Sequence, residues 1–253
     1  RRGAGGMDVT QLRSDGRRGH EVRRVDCAFG IVEDCDGSAL LSQGLTKVLV
    51  TVHGPREVAL RTDELHDRAI VRCEVSQAPF STTERRRRRA GDKRATAISN
   101  FVEETFSHVI QTSLFARSQI DITIHVLQAD GSVLPACICA TSLALTHAGI
   151  PMVDFVTCCS IGYHDGNVLL DLTYQEERDG GPAVSLTLMP RTSQVLTLKM
   201  ESSAVRVNSS LLDKLMKEAQ VGCHQINKIL SGKVREFAAA ALSLRDQEDE
   251  QQA

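Results

Sequence analysis

The stretch that most constrains the fold is VLQADGSVLPACICATSLAL at 126–145. It begins as an apolar strand, turns at 130–132 (Asp-Gly-Ser) and continues as a helix of small residues. A junction of this kind aims free backbone N–H groups and the positive end of a helix dipole at whatever lies in front of it. The stretch therefore predicts a position suited to an anion. The residues that follow the turn are Val133, Leu134 and Pro135, so no Arg, Lys or Thr side chain reaches toward that anion.

The rest of the chain reads as alternating clusters of strands and helices. Alternation of apolar and polar residues at 119–128 is typical of a half-buried strand. Helical spacing predicts a helix over 94–114, a second that follows the turn and stops at Gly149, and a last one that begins near Ser209. Further β-branched runs predict strands at 25–32, 46–54, 69–76, 153–162, 167–173, 184–189 and 194–200. This order predicts an α+β fold, with helices packed on mixed sheets.

Composition limits the classes of function. The 253 residues are 42% hydrophobic and 25% charged with a net charge of −2, which indicates an ordinary soluble globular protein. That charge argues against a protein that coats nucleic acid over its whole surface, but it leaves room for a local basic patch. Aromatic residues are only 4%, so binding of single strands by base stacking is disfavoured. With no signal peptide or membrane-spanning run in view, we expect an intracellular protein that does not bind membranes.

The cysteines predict neither a metal site nor disulfides. There are eight, and most lie in apolar runs such as PACICATSLAL, where Cys behaves as a small buried hydrophobic residue. No C-x-x-C pair is present, and no Cys/His cluster has the spacing of zinc ligands. We therefore expect no metal and no cofactor.

The longest run of charge is Arg85 to Arg89, followed shortly by Lys93 and Arg94. The run is consistent with a solvated loop or a nuclear-localisation patch, and equally with contact to a polyanion backbone. Lys93 and Arg94 lie at the start of a predicted helix, which holds a side chain in one direction, so they are better placed for a defined contact. Arg61 lies on another polar loop and alone indicates little.

Six collinear stretches resemble the RNase PH family, from about residue 12 to residue 240. They are LRSDGRR (12–18), GLTKVLVTVHGPRE (44–57), APFSTTERRRR (78–88), RSQIDITIHVLQADGS (117–132), SLALTHAGIPMVDFV (142–156) and LLDLTYQEE (169–177). HVLQADGS followed by HAGIPMVDFV is most similar to the eukaryotic exosome ring subunits that descend from the catalytic subunit of the archaeal exosome. The resemblance implies two similar β-α halves in one domain over 12–243, assembled into a six-membered ring around an RNA channel. A flexible extension at 1–11 and a disordered acidic tail at 244–253 complete the predicted organisation.

The chemistry that the resemblance implies is phosphorolysis, in which inorganic phosphate attacks the last phosphodiester of an RNA 3′ end. Cations must gather the two anions, and an acidic residue must place a metal or give a proton to the leaving oxygen. The family's phosphate site is the turn after the long strand, with a Gly-Ser-Thr-Arg type of sequence. Here Gly131 and Ser132 remain, but Val133 stands at the Thr position and Leu134 at the Arg position.

The acidic pair implied by the resemblance is altered as well. Family members carry two Asp six residues apart after the L-D-L strand; here the first is Glu177 and the second is Ala183. Loss of the phosphate-binding Arg and of one carboxylate together predicts an inactive site, hence no catalytic residues. An active phosphorolytic exoribonuclease that uses Glu177 and residues of a neighbour, and a free-standing RNA-binding protein, are the alternative hypotheses.

The RNA-binding part is better preserved under the same resemblance. Lys93 and Arg94 match a basic pair that grips the RNA backbone in relatives, and Arg61 matches a basic residue of the loop that narrows the channel. The resemblance thus implies a scaffold that guides single-stranded RNA 3′ ends to an associated hydrolytic exoribonuclease. Its implied partners are other RNase PH-like ring subunits and RNA-binding cap subunits, and its implied locations are nucleus, nucleolus and cytoplasm.

Overall fold

The structure is a computed structural model that describes residues 12–58, 64–82, 85, 92–164, 166–201 and 207–252, with side chains up to residue 243. Arg61 and four arginines of the basic run, 86–89, lie outside the described residues, as does the 1–11 extension. Arg85 is described and is exposed.

Five strands form the first sheet. In chain order they are β1 (Val25–Phe29), β2 (Gly37–Gln43), β3 (Thr46–Glu57), β4 (Ile70–Gln77) and β5 (Ser118–Gln128). Their order in the sheet is β1-β2-β3-β5-β4, and only the β4–β5 pair is parallel. A parallel pair needs a crossover connection, and helix α1 (Lys93–Val109) supplies it while packing on β4.

The second sheet is antiparallel and has four strands. These are β6 (Thr157–His164), β7 (Asn167–Leu170), β8 (Ala183–Met189) and β9 (Gln194–Glu201), in the order β7-β6-β8-β9. The remaining helices are α2 (Val133–His147), the short α3 (Tyr174–Arg178) between β7 and β8, and α4 (Ser209–Gln252), which packs on β6 and β8.

Helix α2 joins the two halves. Its residues from Leu134 to Leu145 are all buried, because the helix packs on β2 and β3 of the first sheet and on β6 of the second. A helix that is apolar on every side is stable only when it is surrounded by protein, which explains the run of small and apolar residues at 133–145. The predicted α+β fold with mixed sheets is confirmed.

The structure differs from the predicted elements in several places. The helix predicted over 94–114 ends at Val109, because Ile110 takes an extended conformation and forms a β-bridge with Met152. The strand predicted over 167–173 ends at Leu170, since Asp171 adopts a φ of 53° that leaves the extended region. Strand β2 was not predicted, because its Gly, Ser, Ala and Leu residues carry little β propensity and only burial between neighbours makes it a strand.

The C-terminal segment also differs from its prediction. Composition predicts a disordered tail at 244–253, but α4 continues as helix through Gln252. Arg, Gln and Glu are good helix formers, and a helix already nucleated by packing extends at little cost. Among the described side chains, the last buried residue of α4 is Leu230, and Phe237 still packs on Phe29 of β1. None of the helices within the described ranges is both long and apolar enough to span a membrane.

Candidate functional site

Two other segments of the chain hold the turn at 130–132 in place through hydrogen bonds. Arg23 donates to the carbonyl oxygen of Asp130 at 2.7 Å, and Thr46 Oγ1 donates to that of Gly131 at 2.8 Å. Gly131 has a φ of +77°, and a Cβ at this position would lie 2.5 Å from the carbonyl oxygen of Leu172. Glycine is required here by both conformation and space.

Ser132 is the last residue before α2, and it is 1% exposed. Its hydroxyl donates to the carbonyl oxygen of Leu172 at 2.8 Å and contacts Ser160 Oγ. The hydroxyl is thus engaged inside the protein. Its backbone N–H donates to Oε1 of Glu177 at 2.7 Å, so the structure brings two of the predicted site residues together.

The chain changes direction at Asp171, directly after β7, and a buried ion pair fixes this corner. Asp171 is fully buried, and its carboxylate accepts hydrogen bonds from the Arg23 guanidinium at 2.7 and 3.0 Å and from the Arg23 N–H at 2.8 Å. Burial by itself would raise the pKa of Asp171, but the hydrogen bonds and charge of Arg23 outweigh it and lower the pKa. Because the same arginine holds Asp130, one side chain ties the corner to the turn.

Helix α3 presents two neighbouring glutamates to different partners. Glu176 pairs with the Arg13 guanidinium and accepts the N–H of Thr173 at 2.8 Å, which closes the start of the helix. Glu177, about 100° further round the helix, faces the turn. Glu176 is thus structural and Glu177 belongs to the site.

Burial raises the pKa of Glu177 above its ordinary value of 4.5. The Ser132 N–H and the Arg94 charge act in the opposite direction without cancelling that effect.

An open groove with a volume of about 730 Å³ lies in front of the turn. The predicted site residues that line it are Arg94, Ser132, Val133, Leu134, Glu177 and Ala183. Leu134 is only 7% exposed and packs into the core, and Ala183 offers no polar atom. The groove therefore has no guanidinium at position 134 and no carboxylate at position 183, and the predicted role of the turn in phosphate binding stays a prediction.

The basic pair divides between two environments. Asp92 caps α1 by accepting the N–H of Arg94 at 3.1 Å, so both cations stand in the first turn and both are exposed. Arg94 lines the groove, whereas Lys93 stands outside its lining. Their predicted role in RNA binding stays a prediction.

The groove also contains charged residues that the sequence analysis missed. Arg178 ends α3, and Lys199 and Glu201 lie on β9, where they form an ion pair of 2.8 Å. Glu201 is the register partner of Ala183. No local motif marks these residues, because only the pairing of β8 with β9 places them beside the turn.

The cysteines take no part in the site. All eight are free thiols, and five are buried, as predicted for most of them. Burial raises the pKa of Cys139 to about 12, which leaves an unreactive thiol. Within the part of the chain that the structure describes, no group of three or more His, Cys, Asp or Glu residues is arranged to hold a metal ion.

Comparison with known proteins agrees with this architecture. Residues 21–151 match domain 1 of the 3′ exoribonuclease family (RNase PH), and residues 154–222 match its domain 2. The chain is 42% identical to the mouse protein "Exosome complex component RRP41" over 92% of this chain and 95% of that one. It is 37% identical to "Exosome complex component Rrp41" of Thermococcus kodakarensis over 77% of this chain and 78% of that one.

Among solved structures, rice Rrp46 superposes with a TM-score of 0.76 at 21% identity, over 87% of this chain and 98% of that one. At that identity the likeness concerns the fold alone. The boundary between the two family domains falls between the two sheets described above. The chain therefore belongs to the 3′ exoribonuclease family, RNase PH, as its six stretches predicted.

Proposed function

We propose that the chain is a non-catalytic ring subunit of an RNA exosome, which scaffolds the complex and lines a channel for single-stranded RNA. The observation that carries the proposal is the groove, which is lined by Arg94 but has Leu134 and Ala183 at the positions where the family resemblance implies a guanidinium and a carboxylate. The relatives named exosome complex components, at 37–42% identity over most of the chain, support membership of that assembly.

The transition state of phosphorolysis carries concentrated negative charge. Two phosphate groups approach each other in phosphorolysis, and cations aimed at them supply most of the stabilisation. A charge-assisted hydrogen bond from a guanidinium contributes about 1.5–3 kcal/mol, which the aliphatic Leu134 does not provide. Without this group and without a carboxylate at Ala183, the groove can contact RNA phosphates but lacks the means to activate them.

The second sheet offers a surface for a ring neighbour. Strand β9 is an edge strand, paired with β8 alone among the described residues. It carries Leu198 and Met200, which are 41% and 43% exposed although their register partners Leu186 and Val184 are buried. Exposed apolar edge strands are aggregation hazards unless another chain covers them. A neighbouring subunit of the same fold would bury this edge in the assembled ring.

The proposal implies further subunits and a cellular role for the complex. RNA-binding cap subunits and an associated hydrolytic exoribonuclease would supply RNA entry and cleavage, and the complex would act in RNA processing and degradation in the nucleus, nucleolus and cytoplasm. The flexible 1–11 extension and the 12–243 domain limits stay predictions.

One observation favours a second function. Glu201 lies beside Ala183 on the neighbouring strand and faces the same groove as Glu177, so two carboxylates are present, although not at the family's two positions. An active phosphorolytic exoribonuclease would have to use this displaced pair. The Lys199 ion pair already engages Glu201, which makes it a poorer acid or base.

Phosphorolysis separates the two functions. The purified chain, alone and assembled with ring partners, is expected to release no nucleoside diphosphate from single-stranded RNA in the presence of inorganic phosphate and magnesium. An active RNase PH enzyme in parallel provides the positive control. Phosphate-dependent release that is abolished by Glu177→Ala or Glu201→Gln would establish the enzyme and refute the proposal.

Charge reversal of the basic pair tests RNA contact. The double variant Lys93→Glu/Arg94→Glu is expected to weaken RNA binding by the assembled ring and to lower the slope of log affinity against log salt by roughly 0.7 for each lost phosphate contact. The fold should tolerate it, because α1 has no acidic residue in its first turn and a helix N-terminus favours negative charge.

A matched control for that variant is Lys228→Glu/Arg235→Glu, which reverses two exposed charges on α4 away from the groove. It should leave the salt slope unchanged. Equal slopes for both double variants and the wild type would show that Lys93 and Arg94 face solvent only.

A further inference from the structure

The first N–H group in front of α2 is already bound by an anion that belongs to this chain. The Ser132 N–H donates to the Glu177 carboxylate at 2.7 Å, across 45 residues of sequence. Backbone N–H groups at the start of a helix are the groups that bind phosphate and carboxylate in proteins. A carboxylate therefore stands where an external anion would be received.

The helix that carries this carboxylate is fixed from two sides. Arg13 binds Glu176 and also donates to the carbonyl oxygens of Leu170 and Asp171, at 2.6 and 3.0 Å. On the other side, Gly131 packs directly against the backbone of Leu172 and Thr173. The backbone of α3 thus has little freedom to withdraw Glu177 from the turn.

The charges around the turn also disfavour a second anion. Arg94 is the cation of the groove that acts on Glu177, and Leu134 adds no charge beside it. Glu201 adds a further carboxylate to the groove, but its ion pair with Lys199 offsets that charge. A phosphate group at the Ser132 N–H would therefore have to displace one carboxylate, that of Glu177.

We propose that Glu177 is an internal replacement for phosphate, which closes the turn before α2 to inorganic phosphate and to the RNA backbone. The inference deepens the proposed non-catalytic function and rests on it. RNA in the groove would meet cations at Arg94 and Arg178 but would not be held at the turn. Such a groove favours passage of the strand over its retention.

Phosphate binding at the turn tests the proposal. Full-length ¹⁵N-labelled chain, as wild type, Glu177→Ala and Glu177→Gln, is titrated with inorganic phosphate at constant ionic strength while the Ser132 and Val133 amide signals are followed. Both variants are expected to show saturable shifts, with an affinity about tenfold or more above that of the wild type. Glu177→Gln keeps the size of the side chain, so it provides the answer if the alanine variant folds poorly.

The matched control is Glu201→Gln, which removes a carboxylate of the same groove that does not bind the turn. Its phosphate affinity should lie within about threefold of the wild type. Wild-type binding equal to that of Glu177→Gln, no binding by either Glu177 variant, or equal gains in Glu201→Gln would each overturn the inference. None of these results depends on RNA or ring assembly, and the proposed function is judged separately by nucleoside diphosphate release.

Discussion

Replacing Asp171 with asparagine is expected to destabilise the chain by about 3–5 kcal/mol, because it leaves the Arg23 charge without its buried counter-ion. The Asp171 side chain is fully buried and that of Arg23 is only 6% exposed, so water cannot take over the lost interaction. Asparagine retains the size of the side chain and tolerates the left-handed conformation at this position, where φ is 53°. The measurement is the free energy of unfolding from urea denaturation of the full-length chain.

A second ion pair of the same segment provides the control. Asp15 pairs with Arg17 at 2.6 Å near the surface. Asp15→Asn should therefore lower the free energy of unfolding by less than about 1 kcal/mol. In a double-mutant cycle, Arg23→Ala and Asp171→Asn should be strongly non-additive, since each removes the same contact. Additive losses would mean that the pair is not coupled in the folded protein.

The pH dependence of the same variant has a defined sign. Because the folded-state pKa of Asp171 is below the ordinary 3.8, its charge stabilises the fold above that value. The contribution is lost as pH falls through the lowered pKa. The stability difference between wild type and Asp171→Asn should therefore be constant near neutral pH and shrink below pH 3.8.

Gly131→Ala is expected to lower the free energy of unfolding by about 2–5 kcal/mol, the second large effect. The new Cβ would lie 2.5 Å from the Leu172 oxygen and from the Thr173 carbonyl carbon, both of them backbone atoms that cannot rotate away. The left-handed φ of +77° adds roughly 1–2 kcal/mol of strain to that steric cost. The turn and the start of α3 would have to separate, which also breaks the contact of Glu177 with the Ser132 N–H.

Gly149→Ala measures the backbone strain alone, so comparison with Gly131→Ala separates that strain from the steric clash. Gly149 follows the other end of α2 with a φ of +72°, and a Cβ there would meet nothing within 4 Å. It should lower the free energy of unfolding by roughly 1–2 kcal/mol from strain alone. Equal losses for the two variants would show that the turn is not packed against α3.

Several parts of the fold and site could be predicted because they depend on short stretches. The alternation of apolar and polar residues predicts the bounds of β5 to within one residue of those observed. The apolar run after Ser132 indicates a buried helix without any knowledge of the elements that it packs against. The absence of a guanidinium at Leu134 and of a carboxylate at Ala183 is likewise a property of residue type. Folding cannot restore either group.

Other features depend on residues that meet from distant parts of the chain. The end of α1 is set by a bridge between Ile110 and Met152, and the end of β7 by the Asp171 corner that Arg23 holds. Neither stop has a local signal such as Pro or Gly. Propensity therefore extended both elements too far.

The sequence by itself determined that this chain has an RNase PH fold with Leu at position 134 and Ala at position 183, because motifs and residue types are local. Only the tertiary structure decided which side chains lie at the turn before α2. Glu177 meets the Ser132 N–H because α3 is anchored at Asp171 and Glu176, and Glu201 reaches the groove because β8 and β9 pair in one register. Both contacts arise from packing between segments far apart in the chain, which no periodicity or spacing encodes.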